Sequence, residues 1–577
     1  MPRRLTWHPG SDIARDWHPD GKRVLIASDR DVGVRAHRFF LVHIEGGTPE
    51  PLPLPRGFHA RYDHAGARLA YTPYYDAFGT WKRYRGGRVT PIWIYDPTTH
   101  EVDEVPHVNA SDSFPAFTSR WLYFASDRNE QMQLWRYDPS KRALEQVTQQ
   151  SDFDVRDIDA CGDSVVFSLG GALHLHDAQS GTTTRLRITC RDDGLQAVPR
   201  WESISDSVRT ARIAPNGARA VLEARGEILS VPREHGDVRN LSSTPGAHDR
   251  DPVWSPDGKS IAWFSDEGDE YRLVIADHAG RGPKRFHELR PEASGGESGG
   301  FYYGPQWSPC SKFVLYRDKT NRLAYLEIAT GQVVQVSRNE GSLGIAWADA
   351  AWSPDSKWIA FEQRNPKTLY DDLVLYSLES RKTTVLTDGF ANVDAPCFSA
   401  DGCHLFFAAS VDRGPSNFGL DMSASAARDG SDLLYYVALR KASKDLLAPK
   451  SDEGYVTKED KAKEDKAKGD KDAESDKDAD QDAKDKPAEA PAEPAASLVD
   501  LDGIEQRILA LPIPSGNYGA LRCSDKALFF LAFADGPDAK LQSFDFDERK
   551  VKTIDEGTRG YDLSFDKKSL LLNKAKG

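Results

Sequence analysis

The chain has 577 residues, 39% of them hydrophobic, and a formal net charge of −14. Because this length exceeds that of one ordinary domain, we expect at least two folded units. The mean hydropathy is −0.58, and no apolar run reaches the roughly 18 residues of a membrane span. An acidic chain also lacks the basic face that nucleic acid requires. We therefore expect neither a membrane nor nucleic acid as a partner.

The first residues look like the end of a repeat rather than a signal peptide. Met1–Trp7 is the same kind of segment as Gln146–Thr148 and Val385–Thr387, which close later repeats. We therefore expect the earlier strands of this repeat to lie outside the sequence. The expected location is the cytoplasm, or the periplasm if a signal peptide lies upstream.

A short turn recurs along the chain between two apolar segments. Its clearest copies are Trp254–Lys259 (WSPDGK), Trp352–Lys357 (WSPDSK) and Trp17–Lys22 (WHPDGK). Ser or His opens the turn, Pro fixes φ at the next position, Asp tolerates the bridge conformation, and Gly closes the turn. Each copy therefore predicts a β-hairpin.

A second hairpin follows each first one. One example runs from Pro91–Pro97 to Glu101–Val105, and another runs from Leu134–Asp138 to Leu144–Val147. Four antiparallel strands per repeat predict the blade of a β-propeller.

Eleven turns of this kind mark the chain, mostly 41 to 55 residues apart. The marker positions are His18, Asp63, Thr118, Ala160, Ala214, Ser255, Ser308, Ser353, Ser399, Cys523 and Ser564. One ring holds roughly four to eight blades. Eleven markers therefore predict two consecutive propellers in an all-β fold.

The long interval between Ser399 and Cys523 contains a charged insert. Residues 451–495 carry nine lysines and sixteen acidic residues and almost no apolar side chains. Such a segment cannot bury enough apolar surface to offset the entropy of ordering. We expect residues 445–500 to be a disordered insert within the second propeller.

Motifs with catalytic or metal-binding potential are weak. Gly296–Gly300 matches the G-x-S-x-G pattern around Ser298, but no helical pattern follows it, as a nucleophile elbow requires. His174 and His176 share a strand face without a third ligand nearby. The six cysteines form no CxxC pair, which indicates reduced thiols. We expect no metal, no cofactor and no catalytic residue.

The segment Gly79–Arg88 is the most distinctive local feature, because it places four cations, two aromatic residues and three glycines within ten residues. Arginine forks suit carboxylate groups. We therefore predict substrate contacts from Arg83, Tyr84, Arg85 and Arg88. The alternative is an interblade loop whose aromatic rings cap the hydrophobic layer.

The same segment carries a resemblance to a known family. Trp81–Gly87 (WKRYRGG), Pro91–Tyr95 and Leu122–Arg128 resemble the six-bladed propeller of tricorn protease and its bacterial homologs. Ile504–Ile508 and Gly516–Gly519 are similar to the late part of that family's seven-bladed propeller. The resemblance covers essentially the whole chain.

The resemblance implies a domain division and a function. Residues 1–195 would be a six-bladed-type propeller incomplete at its N-terminus, and residues 196–577 a seven-bladed propeller incomplete at its C-terminus. The pair would gate and channel peptides or unfolded polypeptide for a self-compartmentalising serine protease. Its catalytic, PDZ-containing C-terminal region would lie outside this chain. The catalytic domains of the full-length protease would be partners. A homo-oligomer is also an expectation, although a hexamer is not.

Two alternatives stay open. The first is a non-enzymatic TolB-like propeller scaffold that binds protein partners. The second is the propeller half of a prolyl-oligopeptidase-like enzyme, which would have a single ring of seven or eight blades. The number of turn markers disfavours that second alternative.

Overall fold

The structure, a computed structural model, describes residues 3–574 except 33–35, 76–81, 151, 192, 195–197, 199, 201, 269, 290–299, 340–348, 413–415, 418–419, 422–431, 444, 450–498 and 534–537. The chain divides into two compact units, Met1–Leu195 and Gln196–Gly577. Strands make up the regular structure of the described part, apart from short 3-10 turns at Ser205–Ser207 and Ile504–Arg507. Within that part, no helix has the length and apolar character needed to cross a membrane.

The first unit contains four sheets of four antiparallel strands each in its described residues. The first sheet comprises β1 Asp12–Trp17, β2 Arg23–Ser28, β3 Arg38–His43 and β4 Glu50–Pro51. The second comprises β5 Ala60–Tyr62, β6 Leu69–Tyr71, β7 Trp93–Tyr95 and β8 Val102–Glu104. The third comprises β9 Asp112–Phe117, β10 Leu122–Ser126, β11 Gln133–Asp138 and β12 Ala143–Gln146. The fourth comprises β13 Arg156–Cys161, β14 Ser164–Leu169, β15 Ala172–Asp177 and β16 Thr183–Arg185.

The second unit begins with four sheets of the same kind. The first comprises β17 Val208–Ile213, β18 Arg219–Ala224, β19 Glu227–Pro232 and β20 Arg239–Asn240. The second comprises β21 Asp249–Trp254, β22 Ser260–Ser265, β23 Arg272–Asp277 and β24 Arg285–His287. The third comprises β25 Tyr302–Trp307, β26 Phe313–Asp318, β27 Arg322–Glu327 and β28 Val333–Arg338. The fourth comprises β29 Ala350–Trp352, β30 Trp358–Arg364, β31 Asp371–Ser377 and β32 Lys382–Val385.

The fifth and sixth sheets depart slightly from this plan. The fifth comprises β33 Asn392–Phe398, β34 His404–Ser410, β37 Leu433–Ala438 and β38 Ile508–Ala510, with a small hairpin of β35 Ser416–Asn417 and β36 Leu420–Asp421 between β34 and β37. The sixth has five strands, β39 Tyr518–Cys523, β40 Ala527–Phe533, β41 Ala539–Asp545, β42 Lys550–Leu563 and β43 Leu570–Lys574. The first half of β42 pairs with β41 and the second half with β43. One long strand therefore ends the sixth blade and begins the seventh. The predicted all-β propeller blades are confirmed.

The recurring turn forms because its side chains bond its own backbone. In the second sheet of the second unit, Ser255 Oγ donates to Asp257 Oδ1 at 2.6 Å and accepts from the Ser260 N–H at 2.9 Å. Gly258 adopts φ 72°, a left-handed conformation that glycine enters freely, and its N–H donates to the Ser255 carbonyl at 2.9 Å. The turn is thus encoded locally.

The hydrophobic cores lie between neighbouring sheets. In the second unit, Leu315 and Tyr325 of the third sheet pack in one buried cluster with Ile359 and Phe361 of the fourth. These side chains are at most 5% exposed. Each blade therefore depends on the next one for burial of its apolar face.

The first strand of most sheets, here called the inner strand, contains a β-bulge. One inner-strand residue has a φ between 50° and 55° in six sheets. These residues are Phe114, Asp157, Asp251, Gly304, Ala395 and Ala520. A bulge turns the local backbone, and it leaves an N–H free to bond outside the sheet. The Asp251 N–H donates to Glu223 Oε2 of the preceding sheet at 3.0 Å.

The ring of the second unit closes through its last inner strand. Asp562 Oδ2 in β42 accepts the Ile213 N–H of β17 at 3.0 Å. The Asp566 N–H donates to the Pro215 carbonyl at 3.0 Å. The seventh blade therefore joins the first.

Candidate functional site: the axial channel of the second propeller

The inner strands of the second unit surround a cavity of about 620 Å³. Every inner strand, together with the second half of β42, contributes to its wall. One wall residue from each of the seven blades is Arg212, Val253, Gln306, Ala350, Ala395, Arg522 and Asp562. Because seven inner strands meet there, this cavity is the axial channel of the propeller.

Arg522 is the most informative residue of the channel wall. Its side chain is exposed, and its guanidinium donates to the Leu521 carbonyl at 2.8 Å. Burial lowers the pKa of Arg522, whereas the neighbouring Tyr561 and Asp562 raise it. The net shift of the Arg522 pKa is upward. The guanidinium is therefore enclosed by protein, remains charged, and still faces the channel space.

Three carboxyl groups lie together between the fourth and fifth sheets, and one of them, Asp349, lines the channel. Oxygens of Asp349, Glu362 and Asp394 are all within 4.8 Å of one another. Glu362 is 5% exposed, and its Oε1 accepts the Ala395 N–H at 2.6 Å. Burial, followed by repulsion from Asp394 and Asp349, raises the pKa of Glu362 well above its usual value.

Arg317 of β26 faces this acidic group from the preceding sheet. Burial lowers the pKa of Arg317, and attraction to Asp349 and Glu362 opposes that effect. Arg317 also lines the channel, beside the bulge at Gly304. The wall thus combines cations and carboxyl groups on neighbouring blades.

Aromatic and aliphatic groups complete the wall. Phe533 and Phe565 are 37% and 52% exposed, and Trp307 is held by a bond from its Nε1 to the Val253 carbonyl at 3.3 Å. The described wall residues include no serine, histidine or cysteine. The channel can therefore bind and orient a chain molecule, but those residues supply no nucleophile with a base.

The site residues predicted from the sequence lie in the first propeller, in the loop between β6 and β7. Arg85 Nη1 donates to Asp127 Oδ2 at 2.8 Å, and Arg83 Nε donates to the Glu130 carbonyl at 2.7 Å. Lys82 Nζ lies 3.3 Å from Asp154 Oδ2. The loop of the second sheet therefore reaches over the two sheets that follow it.

The other two predicted residues lie on the same loop. The Arg88 guanidinium stacks over the Tyr75 ring at 3.8 Å from its centre. A Cβ at Gly86 would meet the Tyr84 ring, so glycine permits this close approach. The structure brings Arg83, Arg85 and Arg88 onto one loop, and their contact with substrate stays a prediction.

The remaining sequence motifs have structural partners or fall outside the described residues. His176 is buried, and its Nδ1 lies 2.9 Å from Thr183 Oγ1, while His174 stacks on Phe167. All six cysteines are free thiols. Ser298 and most of the charged insert lie outside the residues that the structure describes.

Sequence reasoning did not identify the channel residues. Three of them share a position in the strand pattern. Each is the penultimate residue of its strand: Arg212 of β17, Arg522 of β39 and Asp562 of β42. A charged residue at this repeated place indicates a wall position.

Comparison with known proteins gives the family. The Tricorn protease N-terminal beta propeller domain matches residues 1–182, and the Tricorn protease second beta propeller domain matches residues 208–577. The chain is 24% identical over 601 aligned residues to "Tricorn protease homolog 1" of Streptomyces coelicolor, covering 99% of this chain and 52% of that protein. It is 22% identical over 420 residues to "Tricorn protease homolog" of Saccharolobus solfataricus, covering 72% and 37%.

A solved structure supports the same fold. The crystal structure of the tricorn protease superposes with a TM-score of 0.55 at 18% identity, covering 98% of this chain and 51% of that one. The chain thus spans at most about half the length of these relatives. The two family matches and the two sets of sheets lead to one conclusion: this chain belongs to the tricorn protease family and comprises its two consecutive β-propellers.

Proposed function

We propose that this chain is the substrate-gating and channelling part of a tricorn-like, self-compartmentalising serine protease that degrades peptides. The catalytic, PDZ-containing region is supplied by polypeptide outside these residues and acts as its partner. The axial channel of the second propeller is the passage. We further propose a cytoplasmic location, where peptide fragments are abundant.

The position of Arg522 carries this proposal. Its side chain is exposed to the channel, although burial by the surrounding protein opposes its charge. A charged group in that position needs water or a polar ligand in the channel. A polypeptide offers carbonyl groups and acidic side chains to such an arginine.

The mixed chemistry of the wall supports a peptide rather than a small molecule of fixed shape. Arg212 and Arg522 present cations, Asp349 presents a carboxylate, and Phe533 and Phe565 present rings. Peptides of varied sequence contain partners for each of these groups. A wall with one kind of group would restrict passage to one class of side chain.

Photo-crosslinking tests the passage directly. With Phe533→p-benzoylphenylalanine in the channel wall, we expect covalent capture of an unstructured, fluorescein-labelled peptide upon illumination. The matched control is Phe390→p-benzoylphenylalanine, since Phe390 is 73% exposed and is not a wall residue. Equal capture at both positions would contradict passage through the channel.

A second experiment tests whether this chain has peptidase activity of its own. The purified 577-residue chain should not hydrolyse a fluorogenic peptide. Hydrolysis that a serine-directed inhibitor blocks would show that this chain contains its own catalytic site. Capture of folded proteins, without capture of unstructured peptides, would favour a binding scaffold.

A further inference from the structure

An ion pair in the first propeller joins two sheets that are not neighbours. Arg61 of β5 lies in the second sheet, and its Nε donates to Asp159 Oδ1 of β13, in the fourth sheet, at 3.3 Å. The inner strands lie side by side in chain order, so that β9 of the third sheet stands between β5 and β13. The ion pair must therefore cross the space that the inner strands surround, which is the axis of the propeller.

The guanidinium of Arg61 is fixed on two neighbouring sheets. Its Nη1 donates to the Ala60 carbonyl at 3.2 Å and to the Arg15 carbonyl of β1. Beside this contact, Asp16 Oδ2 accepts the Tyr62 N–H at 2.7 Å, so β1 and β5 are held together at the same level. Arg61 thus has backbone partners in the first two sheets and a side-chain partner in the fourth.

The Asp159 carboxylate is held in position by its own strand. The Ala160 N–H donates to Asp159 Oδ1 at 2.9 Å. The bulge at Asp157, with φ 50°, lies two residues earlier and turns the local backbone of β13. The Asp159 side chain is nevertheless 60% exposed, against 30% for that of Arg61. Water and salt therefore reach the pair more easily from its Asp159 end.

The second propeller has arginines at the same strand position as Arg61. Arg212 and Arg522, like Arg61, are the penultimate residues of inner strands, and each donates to the carbonyl of the residue before it. In the second propeller these arginines line an open cavity of about 620 Å³. In the first propeller, the arginine at this position reaches across the axis to another sheet. One strand position therefore lines a passage in one ring and crosses the axis in the other.

We propose that Arg61 is a strap that closes the axis of the first propeller to an extended polypeptide. It is anchored on the first two sheets and fastened to Asp159 of the fourth. Because exposed ion pairs are weak and screened by salt, exchange of the Asp159 carboxylate for water or another anion opens the strap while the backbone bonds of Arg61 remain. This inference rests on the proposed function, since closure matters only if peptides pass through a propeller, but the strap itself can be tested without a peptide.

Pulsed electron paramagnetic resonance measures whether the strap holds the second and fourth sheets. Spin labels are attached through Val102→p-acetylphenylalanine in β8 and Thr184→p-acetylphenylalanine in β16, two exposed positions on the outer strands of these sheets. We expect a narrow distance distribution at about 0.1 M salt and a wider one at about 1 M, because the screening length falls from about 10 Å to about 3 Å. Arg61→Gln and Asp159→Asn should each give the wider distribution at both salt concentrations.

Glu145→Gln is the matched control. The Glu145 side chain is 56% exposed, close to the exposure of Asp159, but its partner Arg136, at 2.6 Å, lies in the same sheet. This variant should keep the narrow distribution at low salt. An unchanged distribution in Asp159→Asn, or equal widening in Glu145→Gln, would overturn the proposal whether or not the protein passes peptides.

Photo-crosslinking tests whether the strap closes the axis. Trp17 ends β1 next to Asp16 and is 59% exposed, so Trp17→p-benzoylphenylalanine places a reactive group near the strap. Capture of an unstructured, fluorescein-labelled peptide should rise about two- to fivefold with Asp159→Asn, since loss of an exposed ion pair shifts an equilibrium by about that factor, and should not rise with Glu145→Gln. A wider distance distribution without greater capture would also overturn the proposal, because the pair would then join the sheets without closing the axis.

Discussion

The Asp562 carboxylate accepts the backbone N–H of Ile213 at 3.0 Å, across 349 residues of sequence. The first propeller contains the same bond between sequential blades, where Asp16 Oδ2 accepts the Tyr62 N–H at 2.7 Å. In both pairs the aspartate is the penultimate residue of its inner strand. The residue that donates its N–H is the last residue of the next inner strand around the ring. Ring closure therefore repeats a contact that neighbouring blades already use.

Asp562→Ala should open the seam of the second propeller. Loss of a hydrogen bond to a charged acceptor costs about 1.5–3 kcal/mol. We expect the Ile213 amide to exchange hydrogen at least about tenfold faster. Asp525→Ala is the control, because the Asp525 side chain is 81% exposed and, within the described residues, its ion pair is the one with Lys567 at 3.4 Å. Equal effects of both substitutions would contradict the role of Asp562 in closure.

Arg85→Ala should destabilise the first propeller. Arg85 donates to the side chain of Asp127, which is 4% exposed, and to its carbonyl. Since Arg85 itself is about one-third exposed, water reduces the loss to about 1–2 kcal/mol. Urea unfolding, followed by a probe in the first propeller, measures the change.

Arg142→Ala is the control for Arg85. Arg142 pairs with Asp103 at 2.8 Å, but both side chains are more than half exposed. We expect a change below about 0.5 kcal/mol. If Arg85→Ala weakened peptide binding and left stability unchanged, the loop would be a substrate contact rather than a brace between blades.

The sequence predicted those parts of the fold that depend on local chemistry. The turn at Ser255 forms from bonds within six residues, so its repetition gave the blade pattern. The channel could not be predicted in this way. Arg522 and Asp349 line the same channel only because the ring gathers the inner strands of the sixth and fourth blades around one axis, and no local pattern encodes that arrangement. The segment around Arg85 was recognisable by composition, but its partner Asp127 lies on another sheet.

The cysteines should differ sharply in reactivity. Cys161, Cys190 and Cys310 are exposed, whereas Cys397 and Cys523 are buried. Burial raises the pKa of the Cys397 thiol to about 11, and burial also raises that of Cys523. At pH 8, only about one Cys397 thiol in a thousand is ionised. Iodoacetamide should therefore modify the three exposed thiols first.

Peptide mass spectrometry after timed labelling gives the order of modification. In guanidinium chloride all six thiols should react at similar rates, because unfolding removes the burial. Raising the pH to 9.5 in the native state should increase labelling of Cys397 less than unfolding does. Rapid native labelling of Cys397 would contradict its burial between the fifth and sixth sheets.

Ala520→Gly should stabilise the second propeller, whereas Ala527→Gly should destabilise it. Ala520 stands at the bulge of β39 with φ 53°, a left-handed conformation that costs a residue with a Cβ roughly 1 kcal/mol. Glycine removes this strain, and the Ala520 carbonyl keeps its bond from Tyr561 Oη at 2.6 Å. The greater backbone freedom of glycine in the unfolded chain offsets part of the gain.

Ala527 lies on the neighbouring strand β40, where it pairs with Asp545 in a regular ladder. Glycine there gains no relief from strain and costs about 0.5–1 kcal/mol. The free energy of unfolding of the two variants should therefore change in opposite directions, and urea unfolding of both at one pH measures it. Destabilisation of similar size in both variants would mean that the Ala520 methyl group contributes more through packing beside Leu531 and Tyr561 than it costs in backbone strain.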